Sequence, residues 1–308
     1  MEKVSYLGLP NCYKLSNGTI DVVVTTDVGP RILFYGFRGG ENIFGEAPDA
    51  VVTTSLGDWK PWGGHRLWTA PEVNPRSYAP DNDAIDFHFD GETIARLVAP
   101  TEPHTQLRKE MKVTLDAEGT GVNVRHRITN RGLWGVEFSV WALTIMNGVG
   151  GEAIIPQEPY RSWGSYVLPA RPLVLWHYTD LTDARFTLGR KFIRLRTDPA
   201  NDEQQKIGAL DKQGWAAFRR GSTLFVKRFG YEEGATYPDY GCNVECFTAG
   251  SFIELESLAP VRRLEPGERA EHTERWSLFG DFDAGATEDA LAAALEVVIP
   301  QTEPAIEK

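Results

Sequence analysis

Cysteine is scarce in this 308-residue chain. The three present, Cys12, Cys242 and Cys246, are an odd number without CxxC or zinc-finger spacing, which argues against a disulfide framework and structural zinc. Positive charge is also in short supply: 32 Lys and Arg stand against 43 Asp and Glu, a formal net charge of −11. The average field therefore repels phosphate backbones and anionic membranes, and nucleic acid is not an expected partner. The basic run RHRITNR (125–131) alternates with apolar or small residues and reads as the solvated face of a strand. No stretch approaches the roughly 18 apolar residues of a membrane span. The opening MEKVSYLGLPN has no charged leader ahead of an apolar segment, so a soluble, cytoplasmic protein is expected. Catalytic motifs are missing as well. Without HxH, HxxxH or HExxH pairs a zinc hydrolase has no support, and there is no GxSxG elbow or phosphate-cradling P-loop. No metal and no cofactor are expected.

What is abundant is β-type sequence. TIDVVVTT (19–26), RILFYGF (31–37), AIDFHF (84–89), RKEMKVTL (108–115), GVNVRHRIT (121–129) and GVEFSVWALTIM (135–146) are rich in β-branched and aromatic residues and are separated by Gly, Pro, Asn and Asp. FIRLRT (192–197), GWAAFRR (214–220), STLFVKRFG (222–230), CNVECFT (242–248), SFIELESL (251–258) and HTERWSLF (272–279) continue the pattern. With no alternating helices between them, the fold expected is all-β, a large antiparallel sandwich, rather than α/β. One helix is expected, TEDALAAALEVV (287–298), with Thr287 as N-cap and two acids in its first turn, covering an edge or end of the sheet. Residues 148–172 are too rich in Gly, Pro and aromatics for regular strands and read as a long loop; 198–205 reads as an exposed connection. No repeat or composition break marks a linker, so residues 1–308 are expected to form a single domain.

The most informative local pattern is CNVECFTAGSFIELES, 242–257. Side chains alternate along a strand, so Asn243, Glu245 and Phe247 share one face, and Phe252, Glu254 and Glu256 share one face of the next strand. A hairpin turning at Ala249-Gly250 pairs Glu245 with Glu254 and Asn243 with Glu256, which sets three glutamates among phenylalanines. Opposed carboxylates repel, so such a face needs a cation, a bound proton or a polar ligand. A solvated outer face, a sugar site in which rings pack on C–H faces while acids accept from hydroxyls, and a calcium site are the competing readings.

PWGGHRLWTAPE, 61–72, is the second focus. Gly63-Gly64 permits close backbone approach, His65 titrates near neutrality and Arg66 offers a planar fork for oxygens. A tryptophan-packed corner is the structural alternative. If the stretch is extended, His65 and Arg66 point to opposite sides. Of the other histidines, His126 and His272 read as core or packing residues, while His88, His104 and His177 carry little signal.

Taken in order, NGTIDVVVTTDVGPRILFYGFRGGENIFGE, GGHRLWTAPE and VECFTAGSFIELESLAPVRRLEPGERAEHTERWSLF resemble the galactose-mutarotase-like (aldose epimerase) superfamily, in a bacterial branch distinct from the true mutarotases. The resemblance implies a supersandwich with a sugar site on its open face. It places Glu256, in IELES, at the position of the base that takes the anomeric hydroxyl proton. Glu254 is then an extra acid on the same face, raising the pKa of Glu256. The family's catalytic histidine has no counterpart: the matching position is Trp141, and no histidine occurs from 127 to 176. His65 is the candidate acid, with Arg66, Glu245, Glu254, Lys227 and Trp141 as expected sugar contacts. Two functions follow as expectations: an epimerase or mutarotase-type enzyme, or a non-catalytic carbohydrate-binding or accessory protein of polysaccharide metabolism.

Overall fold

In the computed structural model, residues 1–302 are described. All of the β-type runs named above contain strands, from Ile20–Thr25 to Arg269–Phe279. They assemble into two antiparallel sheets, one of eleven strands and one of ten. Alternation supplies the glue. Val22, Val24, Leu67, Val140, Ile253 and Leu255 of the first sheet and Met111, Val124, Phe225 and Trp276 of the second are fully buried and meet in one apolar cluster. Each large side chain buried this way contributes about 1.5–3 kcal/mol.

Two loop expectations are corrected. The segment 148–172 contains the strand Gly151–Pro156, every residue of which is buried, between Phe192–Arg196 and Trp215–Arg220. Alternation is invisible there because both faces are covered: Ala153 and Ile155 enter the main core, while Ile154 packs under the C-terminal helix. The connection 198–205 likewise ends in structure, because Gln205 opens the buried strand Gln205–Ala209. The helix runs from Glu288 to Val298, and the Thr287 hydroxyl accepts from the Ala290 amide at 3.1 Å. Leu291, Ala292 and Leu295 lie on Trp215, Ala217 and Val226, so the helix covers the outer face of the ten-stranded sheet. Among the described residues no helix is long and apolar enough to cross a membrane.

The middle of the eleven-stranded sheet runs Arg31–Phe37, His65–Ala70, Val136–Asn147, Phe252–Leu258, Val244–Ala249, Gln205–Ala209. The 244–258 hairpin turns at Gly250-Ser251 rather than Ala249-Gly250, with Gly250 at φ +57°. Glu245 therefore faces Glu256, and Phe247 faces Glu254, a register two residues from the expected one. A shift of two preserves which face each side chain takes. Arg66, Leu143, Glu256, Glu245 and Gly208 then fall in one row across the sheet.

Candidate functional site

The glycine pair before His65 serves the chain itself. Gly63 and Gly64 have φ of +103° and +63°. A Cβ on Gly64 would meet the Ile32 carbonyl oxygen at 2.1 Å, and one on Gly63 the Gly45 oxygen at 2.3 Å. Only glycine allows this backbone contact. The strand His65–Ala70 leaves that corner with His65 directed between the sheets and Arg66 directed outward, as period-two alternation requires.

Between the sheets, His65 joins a buried polar network. Its Nδ1 is 2.8 Å from Thr144 Oγ1 and its Nε2 is 2.6 Å from His126 Nε2. His126 Nδ1 donates to the His272 carbonyl at 2.9 Å. Lys227 places its three protons on Thr144 Oγ1 (2.7 Å), the Leu255 carbonyl (3.0 Å) and Glu274 Oε1 (2.9 Å). His272 Nε2 meets Ser257 Oγ at 2.6 Å, Ser257 donates to Glu274 at 2.5 Å, and Trp276 Nε1 donates to Glu274 Oε2 at 2.8 Å. One set of tautomers accommodates all of these bonds, with His272 donating at Nε2 to Ser257. His126 accepts at Nε2 from His65, and His65 accepts at Nδ1 from Thr144. Burial keeps His65 and His126 below the usual histidine range and pushes His272 down to about 3, so all are neutral.

Metal binding is the alternative use of this cluster, since ligand atoms of His65, His126 and Glu274 lie within 4.8 Å of one another. The residues do not fit a dication well. The Lys227 ammonium already neutralises Glu274, and the facing imidazole nitrogens stand at hydrogen-bond distance with a proton between them.

The outward face is organised differently. Lys206 Nζ is 2.8 Å from Glu245 Oε2 and 3.1 Å from Glu256 Oε2, and lies between the rings of Trp141 and Trp176, 4.8 and 4.7 Å from their centres. Trp141 Nε1 donates to Glu256 Oε2 at 2.9 Å. Alongside, Arg66 pairs with Glu254 while its guanidinium lies 5.3 Å from the Trp59 ring centre and 4.5 Å from that of Trp68. Trp59, Trp68 and Trp141 continue as one buried aromatic cluster, edged by Tyr78, which donates to Glu72.

Charge and hydrogen bonding are both left incomplete here. Glu245, Glu254 and Glu256 outnumber Lys206 and Arg66 by one among the buried groups. Glu256 Oε1, Glu245 Oε1, Arg66 Nε and the indole nitrogens of Trp59 and Trp68 are buried without a hydrogen-bond partner among the described residues. Unpartnered buried polar atoms cost about 1–3 kcal/mol each, and a protein keeps so many together where something else completes them. Burial pushes Glu245 well above the usual carboxylate range; Lys206 opposes this, and Glu256 and Asp239 add repulsion. Burial raises Glu256 too, again against Lys206, with Glu254 adding to the rise. Burial works against the charge on Lys206, but Glu245 and Glu256 outweigh it and hold the ammonium well above the lysine range. Burial pushes the Tyr178 phenol up to about 12, with Lys206 opposing and Glu256 adding to the rise.

Of the residues expected at a site, the structure brings together Arg66, Trp141, Glu245, Glu254 and Glu256. It sets His65 on the inner side of this sheet and Lys227 on the ten-stranded sheet facing it, both between the sheets, where neither reaches the glutamate face. Asn243 has the expected parity, but its amide holds the backbone of Asp211. Lys206, Trp59, Trp68 and Trp176 were not anticipated. Lys206 sits in QKIGA beside a polar connection. A search for alternation would have found Gln205, Ile207 and Ala209 on one face and Lys206 on the other.

No protein-family profile matches the sequence, and no curated protein is significantly similar to it. Solved structures are similar in fold. A galactose mutarotase-like protein of Lactobacillus casei shares 11% identity at a TM-score of 0.53, over 87% of this chain and 100% of the other. One from Clostridium acetobutylicum shares 11% at 0.56, over 91% and 98%. A candidate aldose 1-epimerase of Klebsiella pneumoniae shares 10% at 0.58, over 94% and 82%. Two antiparallel sheets, a lone C-terminal helix and these neighbours together give the chain the galactose-mutarotase-like supersandwich fold.

Proposed function

We propose that the chain is a sugar epimerase of mutarotase type, working by proton transfer between two glutamates on the outward face of the eleven-stranded sheet. The observation that carries this is the Glu245–Lys206–Glu256 bridge with an unpartnered oxygen on each carboxylate. Two carboxylates sharing one ammonium carry a surplus negative charge, which one proton removes. Glu256, stabilised as an anion by both Trp141 and Lys206, is the base; Glu245, with Lys206 alone and Asp239 nearby, keeps the proton and is the acid.

In the reaction, Glu256 Oε1 takes the proton of the anomeric hydroxyl as the bond from C1 to the ring oxygen breaks, and Glu245 gives its proton to that oxygen. Rotation about C1–C2 in the open aldehyde and reversal of both transfers gives the other anomer. The buried indoles of Trp59, Trp68 and Trp141 wall the site and keep it apolar around the carboxylates, and Arg66 holds Glu254 in place. This assigns the acid to Glu245 in place of His65.

NMR exchange spectroscopy on α and β aldoses tests the proposal. Wild type should accelerate exchange, and Glu256→Gln should lose about 10²–10⁴ of the rate; a rate unchanged by that substitution refutes the role of Glu256. The absence of a strand histidine on this face favours a second reading, a carbohydrate-binding protein without turnover. Sugar affinity with no acceleration of exchange for any aldose would select it.

A further inference from the structure

Residues of the segment 158–171, with Lys212, line an open pocket of about 490 Å³, a size suited to a small ligand. Tyr160, Arg161, Tyr166, Arg171 and Lys212 line it, and Glu158 is its single carboxylate. The cations are laid against rings. Arg161 lies 5.4 Å from the centre of Tyr166, and Arg190 approaches from outside to 4.5 Å over Tyr160. Arg171 donates to the Glu158 carbonyl at 2.6 Å. Among the described residues, Arg161, Arg171, Arg190 and Lys212 form no ion pair with a carboxylate.

In a chain of net charge −11, basic side chains ordinarily find acids close by. Here Arg161, Arg171 and Lys212 line one pocket with two tyrosines and one glutamate, Lys212 also lying 5.8 Å from the Tyr231 ring centre, and Arg190 stands over Tyr160 from outside. Like charges held together repel, and an anion removes the repulsion. A guanidinium resting on a ring keeps its N–H edge free for a carboxylate or phosphate. Tyr160 is 58% exposed and Tyr166 43%, so their faces can receive a ring. The glutamate site has the opposite character, with surplus buried acid.

We propose that this pocket binds an anionic sugar, its acid group held by Arg161, Arg171 and Lys212 and its ring packed on Tyr160 and Tyr166. The acid has two chemical sources, a uronate carboxylate or a sugar phosphate. The inference does not depend on turnover at the glutamate face.

Calorimetric titration of the full chain at low salt with glucuronate, glucose 6-phosphate, inorganic phosphate and glucose tests it, and the first two arms distinguish carboxylate from phosphate. At least one acidic sugar should bind more tightly than both glucose and phosphate. That binding should weaken about tenfold or more in the double variant Arg161→Ala/Arg171→Ala, fall in Tyr160→Ala, and persist in Glu256→Gln, which alters only the other site. Equal affinity for acidic sugars in the wild type and the double variant, or no preference for them over glucose, overturns the proposal. Phosphate binding as tightly as glucose 6-phosphate overturns the part played by the rings.

Discussion

The two faces of the eleven-stranded sheet hold polar clusters of similar composition and opposite completeness. On the inner face, Thr144, Ser257 and His65 meet Lys227, Glu274, His126 and His272 of the ten-stranded sheet, and no buried polar side-chain atom of the cluster is left without a partner among the described residues. On the outer face, Glu245, Glu256, Arg66, Trp59 and Trp68 leave carboxylate, guanidine and indole atoms open among the described residues. His65 and Arg66, Thr144 and Leu143, Leu255 and Glu256 are adjacent in sequence and are separated by the sheet itself. Burial and perturbed ionisation mark both clusters, so neither property identifies a site. Completeness separates them: a closed network stabilises and specifies the fold, while an open one leaves polar atoms that a ligand or water can satisfy.

The largest expected effects come from damaging each face in its own currency. Glu245→Gln keeps the shape of the acid but fixes a neutral group that cannot give up a proton. Anomer exchange should fall about 10²–10⁴-fold while thermal unfolding changes little. Lys227→Met should do the reverse. It leaves Glu274 as a buried, unpaired charge, and denaturant unfolding should show a loss of about 3–5 kcal/mol. Either variant producing the other's pattern would erase the distinction between the faces.

Acid should also act first on the inner face. Its histidines are neutral in the folded chain, with pKa values lowered by burial, and take up protons when it unfolds. Stability from this source is complete above the unfolded value near 6.5 and is lost as pH falls toward about 3, where His272 titrates in the fold. Each histidine contributes up to about 1.4 kcal/mol per pH unit within its window. Urea midpoints measured from pH 7 to 4 should fall with a slope that His272→Asn reduces. The smallest effect is expected at Trp59→Leu, which removes one of the two rings against Arg66: sugar affinity should drop by about 0.5–2 kcal/mol, read by titration.

Much of this organisation was legible from alternation alone. The twelve strand runs named from the sequence, the single helix with Thr287 at its cap, and the shared face of Glu245, Glu254 and Glu256 follow from period two or 3.6 and cap chemistry, whereas Gly151–Pro156, covered on both faces, does not. The glutamate face even survives a wrong turn assignment, because moving the turn from Ala249-Gly250 to Gly250-Ser251 shifts the pairing by two. Alternation also predicts that His65 and Arg66 part company. It does not say which of them enters the core, since a buried imidazole network and a ligand-facing imidazole use the same residue. Lys206 was hidden by the polar run before it, and Trp59 and Trp176 by lying outside the strands that floor the site, where only tertiary contact brings them to Arg66 and Lys206.

Trp141 and Trp276 each donate an indole N–H to a buried glutamate, Glu256 on the outer face and Glu274 on the inner. Their ¹⁵N indole resonances, followed while aldoses are titrated in, report on the two faces within one experiment. The Trp141 signal should move with saturable dependence on a sugar while that of Trp276 stays in place. Movement of Trp276 with Trp141 unchanged, or no movement of Trp141 with any sugar, would contradict the assignment of the site to the outer face.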